Sequence, residues 1–238
     1  MSQRFFVEFP VVVGGAVQVV GAEAHHMSHV MRLAVGDEIT LFDGTGAEYA
    51  GRLTRIEKRG VHVQVLEQRD VDREASIDVE LAVALPRGDR QTWLVEKAVE
   101  LGVRSVIPLM SERSVAVPKD KTLARLQRTV IESSKQCGRN RLMRIEAPRH
   151  LTDHLSCAVD FDVIRWLAHP GERTAATVAD LTAARTDAKF KIAIGPEGGF
   201  TQDEIELARK TGWKLISCGP RVMRVETAAI AISAKVLL

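Results

Sequence analysis

The sequence predicts an α/β protein in two domains, residues 1–72 and 73–238, and three features of the chain carry that reading. Up to about Gln68, short strand-like runs are separated by glycine-containing turns, and one stretch alone has helical spacing. Gln68 to Ile77 is polar, charged and free of apolar periodicity, which marks a boundary. From Asp78 onward strands alternate with helices, the pattern of a parallel sheet with helices on both faces.

In the first domain, Arg4 to Phe9 is aromatic and reads as a strand, and Gly14-Gly15 interrupts Val11 to Val20 as a hairpin would. Glu23 to Leu33 places Met27, Val30 and Met31 at helical spacing. Glu38 to Phe42, Glu48 to Ile56 and Val61 to Leu66 are strands, parted by Asp43-Gly44-Thr45-Gly46 and Lys58-Arg59-Gly60. Several short strands with one helix make a small barrel. In the second domain the strands are Val79–Leu85, Ser105–Met110, Arg144–Ala147 and Phe161–Ala168. The helices are Asp89–Leu101, closed by Gly102, and the basic Lys119–Cys137. The last helix, Thr227 to Leu238, is apolar nearly all round, so it is buried either in the core or in a dimer interface.

The chain is organised around Lys191 to Ala208. Ile192-Ala193-Ile194 is a run suited to a strand covered on both faces, and Gly195-Pro196-Glu197-Gly198-Gly199 breaks it. Thr201 and Glu204 have capping-box spacing, so a helix starts just after Thr201. Leu215 to Gly219 repeats the pattern, with Pro220-Arg221-Val222-Met223-Arg224 leading into the last helix. Two strand ends that open into Gly/Pro loops can line one pocket at the carboxyl edge of a sheet. The first strand of this domain runs into Leu85-Pro86-Arg87-Gly88-Asp89, which is not a dinucleotide fingerprint, and no GxxxxGK[ST] loop is present.

IGPEGGFTQDEIELA followed by CGPRVMRVETAAIA resembles the paired C-terminal motifs of the RsmE family. The resemblance extends to Glu96–Gly102, Glu112-Arg113-Ser114, Glu132–Arg139, Arg4-Phe5-Phe6 and His25–Arg32, and so covers most of the chain. It implies a SPOUT-class methyltransferase with a C-terminal trefoil knot, an N-terminal PUA-like RNA-binding barrel and a homodimeric state. The implied reaction is S-adenosylmethionine-dependent methylation of uridine N3 in 16S ribosomal RNA of the small subunit. Met143 departs from the family's loop, where proline is expected after Asn140-Arg141-Leu142.

By that resemblance, three loops hold S-adenosylmethionine: Leu167-Ala168-His169-Pro170, Gly195 to Gly199, and Cys218 to Ala228. Leu167 and His169 come from the first, Gly195, Glu197, Gly198 and Gly199 from the second. Cys218, Gly219, Val222, Met223, Arg224, Thr227 and Ala228 come from the third. Uridine N3 becomes nucleophilic only on losing its proton, which needs a base or positive charge near the developing anion. Arg221, Arg224 and Glu197 are the catalytic candidates. Glu226 is a further carboxylate that also suits a helix N-terminus, and the identity of the base stays open. The RNA-binding candidates are Arg4, Arg32, Arg113, Lys135, Arg139 and Arg141. Lys119 to Arg144 carries eight basic residues against two acids, either a solvated helix face or a phosphate-binding stripe.

The chain's net charge of +2 announces no nucleic-acid partner by itself. Cys137, Cys157 and Cys218 are an odd number without paired spacing, which suits a reduced cytoplasmic setting and supports neither a disulfide framework nor a metal site. No run approaches a membrane span and no leader pattern is present. His25 and His29 have the i,i+4 spacing of a metal pair but no accompanying acid, and an RNA-facing or surface helix is the better reading. An RNA-binding ribosome-assembly protein without chemistry, or a SPOUT enzyme acting on another base or a ribose hydroxyl, are the competing functions.

Overall fold

The computed structural model describes residues 3–8, 10–114, 117–158, 162–170, 176–177 and 188–238. Contacts divide the chain into two units, residues 1–74 with 131–142, and residues 75–130 with 143–238. The stretch 131–142, which follows the boundary in sequence, thus clusters with the N-terminal unit. The physical reason is a set of internal ion pairs. Arg139 makes a bidentate bond to Glu74 at 2.6–3.1 Å, and Lys135 pairs with Glu23 at 2.7 Å.

In the N-terminal unit the strands are β1 (Arg4–Phe6), β2 (Ala16–Val20), β3 (Glu38–Phe42), β4 (Glu48–Glu57) and β5 (Gly60–Arg69). They form one sheet in the order β1-β3-β4-β5-β2, antiparallel except for the β1–β3 pair. Gly14-Gly15 precedes β2 rather than joining two strands of a hairpin, and Phe9 lies outside the described residues. The helical stretch is shorter than the periodicity predicts. It is α1 (Gly21–His25) followed by a π-helical turn, His26–Val30. Ser28 Oγ bonds back to the Ala24 carbonyl at 2.7 Å, and Met27 remains fully buried against Phe5, Leu41, Leu53 and Val63. One stripe of the stretch therefore serves the core while its hydrogen bonding departs from α.

The C-terminal unit holds β6 (Asp78–Val83), α2 (Asp89–Leu101), β7 (Ser105–Met110), β8 (Arg144–Ile145), β9 (Arg149–His150), α4 (Leu151–Ser156), β10 (Val163–Ala168), β11 (Ala176–Thr177), β12 (Lys189–Ile194), α5 (Gln202–Lys210), β13 (Lys214–Ser217) and α6 (Val225–Leu237). The helix α3 (Asp120–Cys137) runs through the division between the units. Phe161, expected in the strand before residue 168, lies outside the described residues. The sheet is parallel throughout, in the order β11-β13-β10-β12-β6-β7-β8, with β9 also beside β7.

Alternation along the strands assigns the two faces. Ala82, Ala193, Leu167 and Leu215 lie in one row across four strands and pack with Leu151, Leu155, Ile205 and Ala208 of α4 and α5. The alternate row, which includes Leu81 and Ile192, is left for α6, which touches β6 and β12 and packs on α2. The apolar helix α6 thus buries Ala228, Ala229, Ile232 and Val236 within its own chain, while Ile230, Ala231 and Leu237 stay half-buried.

Candidate active site

The site follows from strand register. Ala168, the last residue of β10, pairs with Ile194, the last of β12, on one side and with Ile216, one residue before the end of β13, on the other, so three strands end within a residue of one another. Beyond it, His169-Pro170, Gly195–Gly199 and Cys218–Arg224 leave the sheet at the same edge. They enclose a cleft of about 630 Å³ including space open to solvent, the size of small-molecule sites. The His169 amide bonds the Ile216 carbonyl at 2.9 Å and so fastens the first loop beside the third.

Two glycines are required by this geometry. A Cβ on Gly195 would stand 3.0–3.1 Å from three atoms of the Phe200 ring, whose face closes the turn. Gly199 has φ +70°, and its amide bonds the Pro196 carbonyl at 2.8 Å to complete the turn. The helix beyond is held as its spacing predicts. The Glu204 amide donates to Thr201 Oγ1 at 3.3 Å, and the Thr201 amide donates to Glu204 Oε2 at 2.8 Å. The other oxygen of buried Glu204 accepts the Glu112 amide at 2.8 Å, which ties the turn after β7 to the cap. Next to it, Arg113 Nη1 donates to the carbonyls of Gly198 at 2.8 Å and Phe200 at 3.4 Å, bracing the loop from outside.

Of the expected cofactor residues, His169, Gly195, Glu197, Gly199, Cys218, Gly219, Val222, Met223 and Ala228 line the cleft. Four do not. Leu167 is fully buried in the sheet behind it, Gly198 turns its carbonyl to Arg113, Arg224 is the exposed N-cap of α6, and Thr227 is exposed in that helix's first turn. Ala168, Pro170, Pro196 and Val225, which belong to the three expected loops, also line it, and sequence reasoning missed Ile194, Phe200 and Ile216, which complete the wall. Phe200 carried a signal, since an aromatic directly after two glycines can fold back over the turn.

Among the catalytic candidates, Arg221 and Glu197 line the cleft and Arg224 does not. Glu197 stands 3.6 Å from Arg90, which also lies 3.5 Å from Glu226. Arg90 was missed; its only sequence signal is its place in the first turn of α2 after Gly88. Two polar atoms in this region are buried without a partner among the described residues, His169 Nδ1 and Glu226 Oε2. Burial, with a smaller contribution from Arg209, lowers the His169 pKa, so the ring is a neutral hydrogen-bonding group at neutral pH. Burial also pushes the Cys218 thiol up, which makes it a poor nucleophile and agrees with a structural thiol.

The RNA-binding candidates divide. Arg4, Lys135 and Arg139 are corrected to internal structural roles. Arg4 is buried with Glu48 at 2.6 Å and also bonds Asn140, and Lys135 and Arg139 are consumed by Glu23 and Glu74. Arg113 is committed to the loop carbonyls. Arg32 and Arg141 remain exposed, as do Lys119 just before α3 and Lys121, Arg125 and Arg128 on its first half. The rings of His25 and His29 stack at 4.5 Å, and among the described residues no group of three or more possible metal ligands exists. None of the described helices is long and apolar enough to cross a membrane.

A cleft of this build at the carboxyl edge of a parallel sheet is that of a small-molecule-binding α/β protein. Comparison with known proteins narrows the class. The RNA methyltransferase domain profile matches residues 73–237, and the RNA methyltransferase PUA domain profile matches residues 21–66. Ribosomal RNA small subunit methyltransferase E of Bacillus subtilis is 31% identical over 98% of this chain and 95% of its own. The protein of that name from Rickettsia conorii is 32% identical over 90% of this chain and 86% of its own. The crystal structure of ribosomal RNA small subunit methyltransferase E from Neisseria gonorrhoeae, bound to S-adenosyl methionine, superposes with a TM-score of 0.89 at 29% identity, covering 98% of this chain and 96% of that one. A Legionella pneumophila methyltransferase structure containing SAM gives 0.88 at 28% identity, covering 99% and 97%. The chain belongs to the RNA methyltransferase family, in the branch of the ribosomal RNA small subunit methyltransferase E proteins. Its N-terminal unit is PUA-like and its C-terminal sheet has the SPOUT-type α/β architecture.

Proposed function

We propose that this chain is an S-adenosylmethionine-dependent methyltransferase that methylates N3 of a uridine in 16S ribosomal RNA of the small subunit. The observation that carries this reading is the shared cleft formed where β10, β12 and β13 end within a residue of one another. Its residues fit the methyl donor: an apolar wall from Ile194, Phe200, Val222 and Met223, close backbone approach at Gly195 and Gly199, and an unpartnered His169 Nδ1. S-adenosylmethionine, when bound, supplies an electrophilic methyl group on a sulfonium.

The chain's own residues do the rest. His169 and the backbone of the glycine loops bind and orient the donor, and Phe200 closes the turn against water. Arg221, exposed at the rim, offers positive charge to the base as its imide becomes an anion, and Glu197 accepts the N3 proton. Arg224 stands outside the cleft, where it suits a phosphate. The PUA-like unit docks RNA through exposed residues such as Arg32 and Arg141, with the exposed basic positions of α3 adding phosphate contacts. The half-buried residues of α6 suit a symmetric homodimer, and the C-terminal unit is knotted as in SPOUT proteins. Together these describe a cytoplasmic enzyme with the domain division at residue 72/73.

The test has two parts. Titration calorimetry with S-adenosylmethionine is expected to give binding heat that a Gly199→Trp variant loses, because the indole is strained at positive φ and fills the cleft. Labelled methyl transfer to 16S RNA and to small subunits, followed by nucleoside mass spectrometry, is expected to yield 3-methyluridine. A folded wild-type protein that binds the donor yet methylates neither substrate would reject the reaction, and one that also fails to bind it would favour the assembly-factor reading.

A further inference from the structure

The row of strand ends continues one strand further than the donor cleft. Val83 of β6 pairs with Ile194, and the Ala84 amide bonds the Ile194 carbonyl at 2.9 Å. Beyond that pair lies a second cavity of about 610 Å³, lined by Leu85, Arg87, Arg90, Ser114, Pro196 and Glu197 among others. Pro196 and Glu197 belong to both cavities, so one loop forms the partition between them. The two spaces differ in chemistry. The first is walled mainly by apolar side chains and glycine backbone with His169, Glu197 and Arg221 among them, whereas the second sets Arg87, Arg90, Ser114 and Glu197 against Ala84, Leu85, Pro86 and Pro196.

Among the described residues, Arg90 is held at this partition by two long ion pairs. Its Nη2 is 3.6 Å from Glu197 and its Nη1 is 3.5 Å from Glu226, both beyond a close hydrogen bond. Glu226 is buried, and its second oxygen has no partner among the described residues, so this carboxylate acts as a fixed anchor in the first turn of α6. The Arg90 side chain is 41% exposed and lines the cavity, leaving N–H donors available to it. A planar fork of donors suits a planar imide, whose negative charge spreads over two carbonyl oxygens and the nitrogen between them.

We propose that Arg90 is a catalytic residue, contacting the target base in the second cavity and stabilising the imide anion formed as N3 loses its proton. This rests on the uridine-N3 reading above. In the step, the N3–H proton passes to a carboxylate oxygen of Glu197 and N3 bonds to the methyl carbon. The carbon–sulfur bond breaks with its electron pair left on sulfur, turning the sulfonium into a neutral thioether. Arg87 and Ser114 line the same space and complete the polar surroundings of the base.

The experiment compares wild type, Arg90→Gln and Arg90→Lys on small-subunit RNA made with uridine or with 5-fluorouridine, whose N3 proton is more acidic. Arg90→Gln is expected to lower kcat on uridine about 100-fold, the scale of losing one stabiliser of a developing anion. The deficit should shrink about tenfold or more on 5-fluorouridine, where less stabilisation is needed. Arg90→Lys should fall between and melt like wild type, Arg90→Gln should melt lower because it strands the buried Glu226 carboxylate, and all three proteins, assayed where each is folded, should bind S-adenosylmethionine with the same heat. Equal deficits on both RNAs would make Arg90 a structural brace, and a kcat within about twofold of wild type would remove it from catalysis. If the wild type methylates neither RNA, the uridine-N3 reading falls and the assignment with it.

Discussion

Arg4 and Arg139 in the N-terminal unit and Arg90 and Arg221 in the C-terminal unit are the same side chain in two electrostatic situations. The first two are buried and face carboxylates at 2.6–3.1 Å, with no surface left for a partner. The second pair stands at cavity walls, Arg90 3.5 Å or more from its carboxylates and Arg221 exposed. Buried pairs hold a unit together because removing one partner strands a charge away from water, whereas a loosely held arginine keeps donors for a ligand. A basic residue in a family motif is therefore not by itself a nucleic-acid contact.

The largest test of that contrast is Arg4→Ala. It leaves Glu48 buried with only Arg73 at 2.9 Å, and is expected to cost about 3–5 kcal/mol in urea unfolding of the N-terminal unit. Donor-binding heat should be unchanged. A loss below about 1 kcal/mol would erase the distinction between the two groups of arginines.

Acid sharpens the same comparison, because each unit contains a different acid-sensitive group. His154 is 1% exposed, both ring nitrogens lack a partner among the described residues, and burial followed by Lys191 and Arg149 lowers its pKa to about 4. The unfolded chain takes up this proton as pH falls through 6.5, while the folded chain does so only near 4, so stability declines across that window. The contribution is about 3 kcal/mol, and a His154→Leu variant should lack it in denaturation curves at pH 7 and pH 4. Glu48 behaves differently. Burial raises its pKa, but the bonds and charges of Arg4 and Arg73 outweigh that and leave it lowered. Its contribution is present above the unfolded value and is lost as pH falls below it, so the N-terminal unit should weaken at lower pH than the C-terminal one.

Arg221→Ala is expected to do the reverse of Arg4→Ala. Stability should change by less than about 0.5 kcal/mol while methyl transfer falls about 100-fold, equivalent to about 2.7 kcal/mol of transition-state stabilisation. Parallel melts and rate assays would expose any loss of stability instead. The smallest expected effect is Thr201→Ala, about 1 kcal/mol from the capping box, read as a shift in thermal midpoint. Because Glu204 also holds the Glu112 amide, Glu204→Ala should cost more than Thr201→Ala.

What could be read from the amino-acid sequence alone was local. The Thr201–Glu204 cap, the run Ile192-Ala193-Ile194 as a strand, the glycine turn after it and the switch to strand–helix alternation near Asp78 depend on neighbours a few residues away. The residues expected to hold the donor, most of which line the cleft, came from motifs of the same range. Local pattern still missed the π-helical turn at His26–Val30, where the apolar stripe is kept but the hydrogen bonds shift by one residue. Tertiary structure decided what depends on partners far along the chain. Arg139 meets Glu74 65 residues away, Arg4 meets Glu48 44 residues away, and Arg113 reaches Gly198 85 residues away. The placement of Arg90 between Glu197 and Glu226 likewise needs strand order and register. Periodicity reports which face a residue occupies, but only the folded chain determines which opposite charge shares that face, and so which cations are spent and which remain for a substrate.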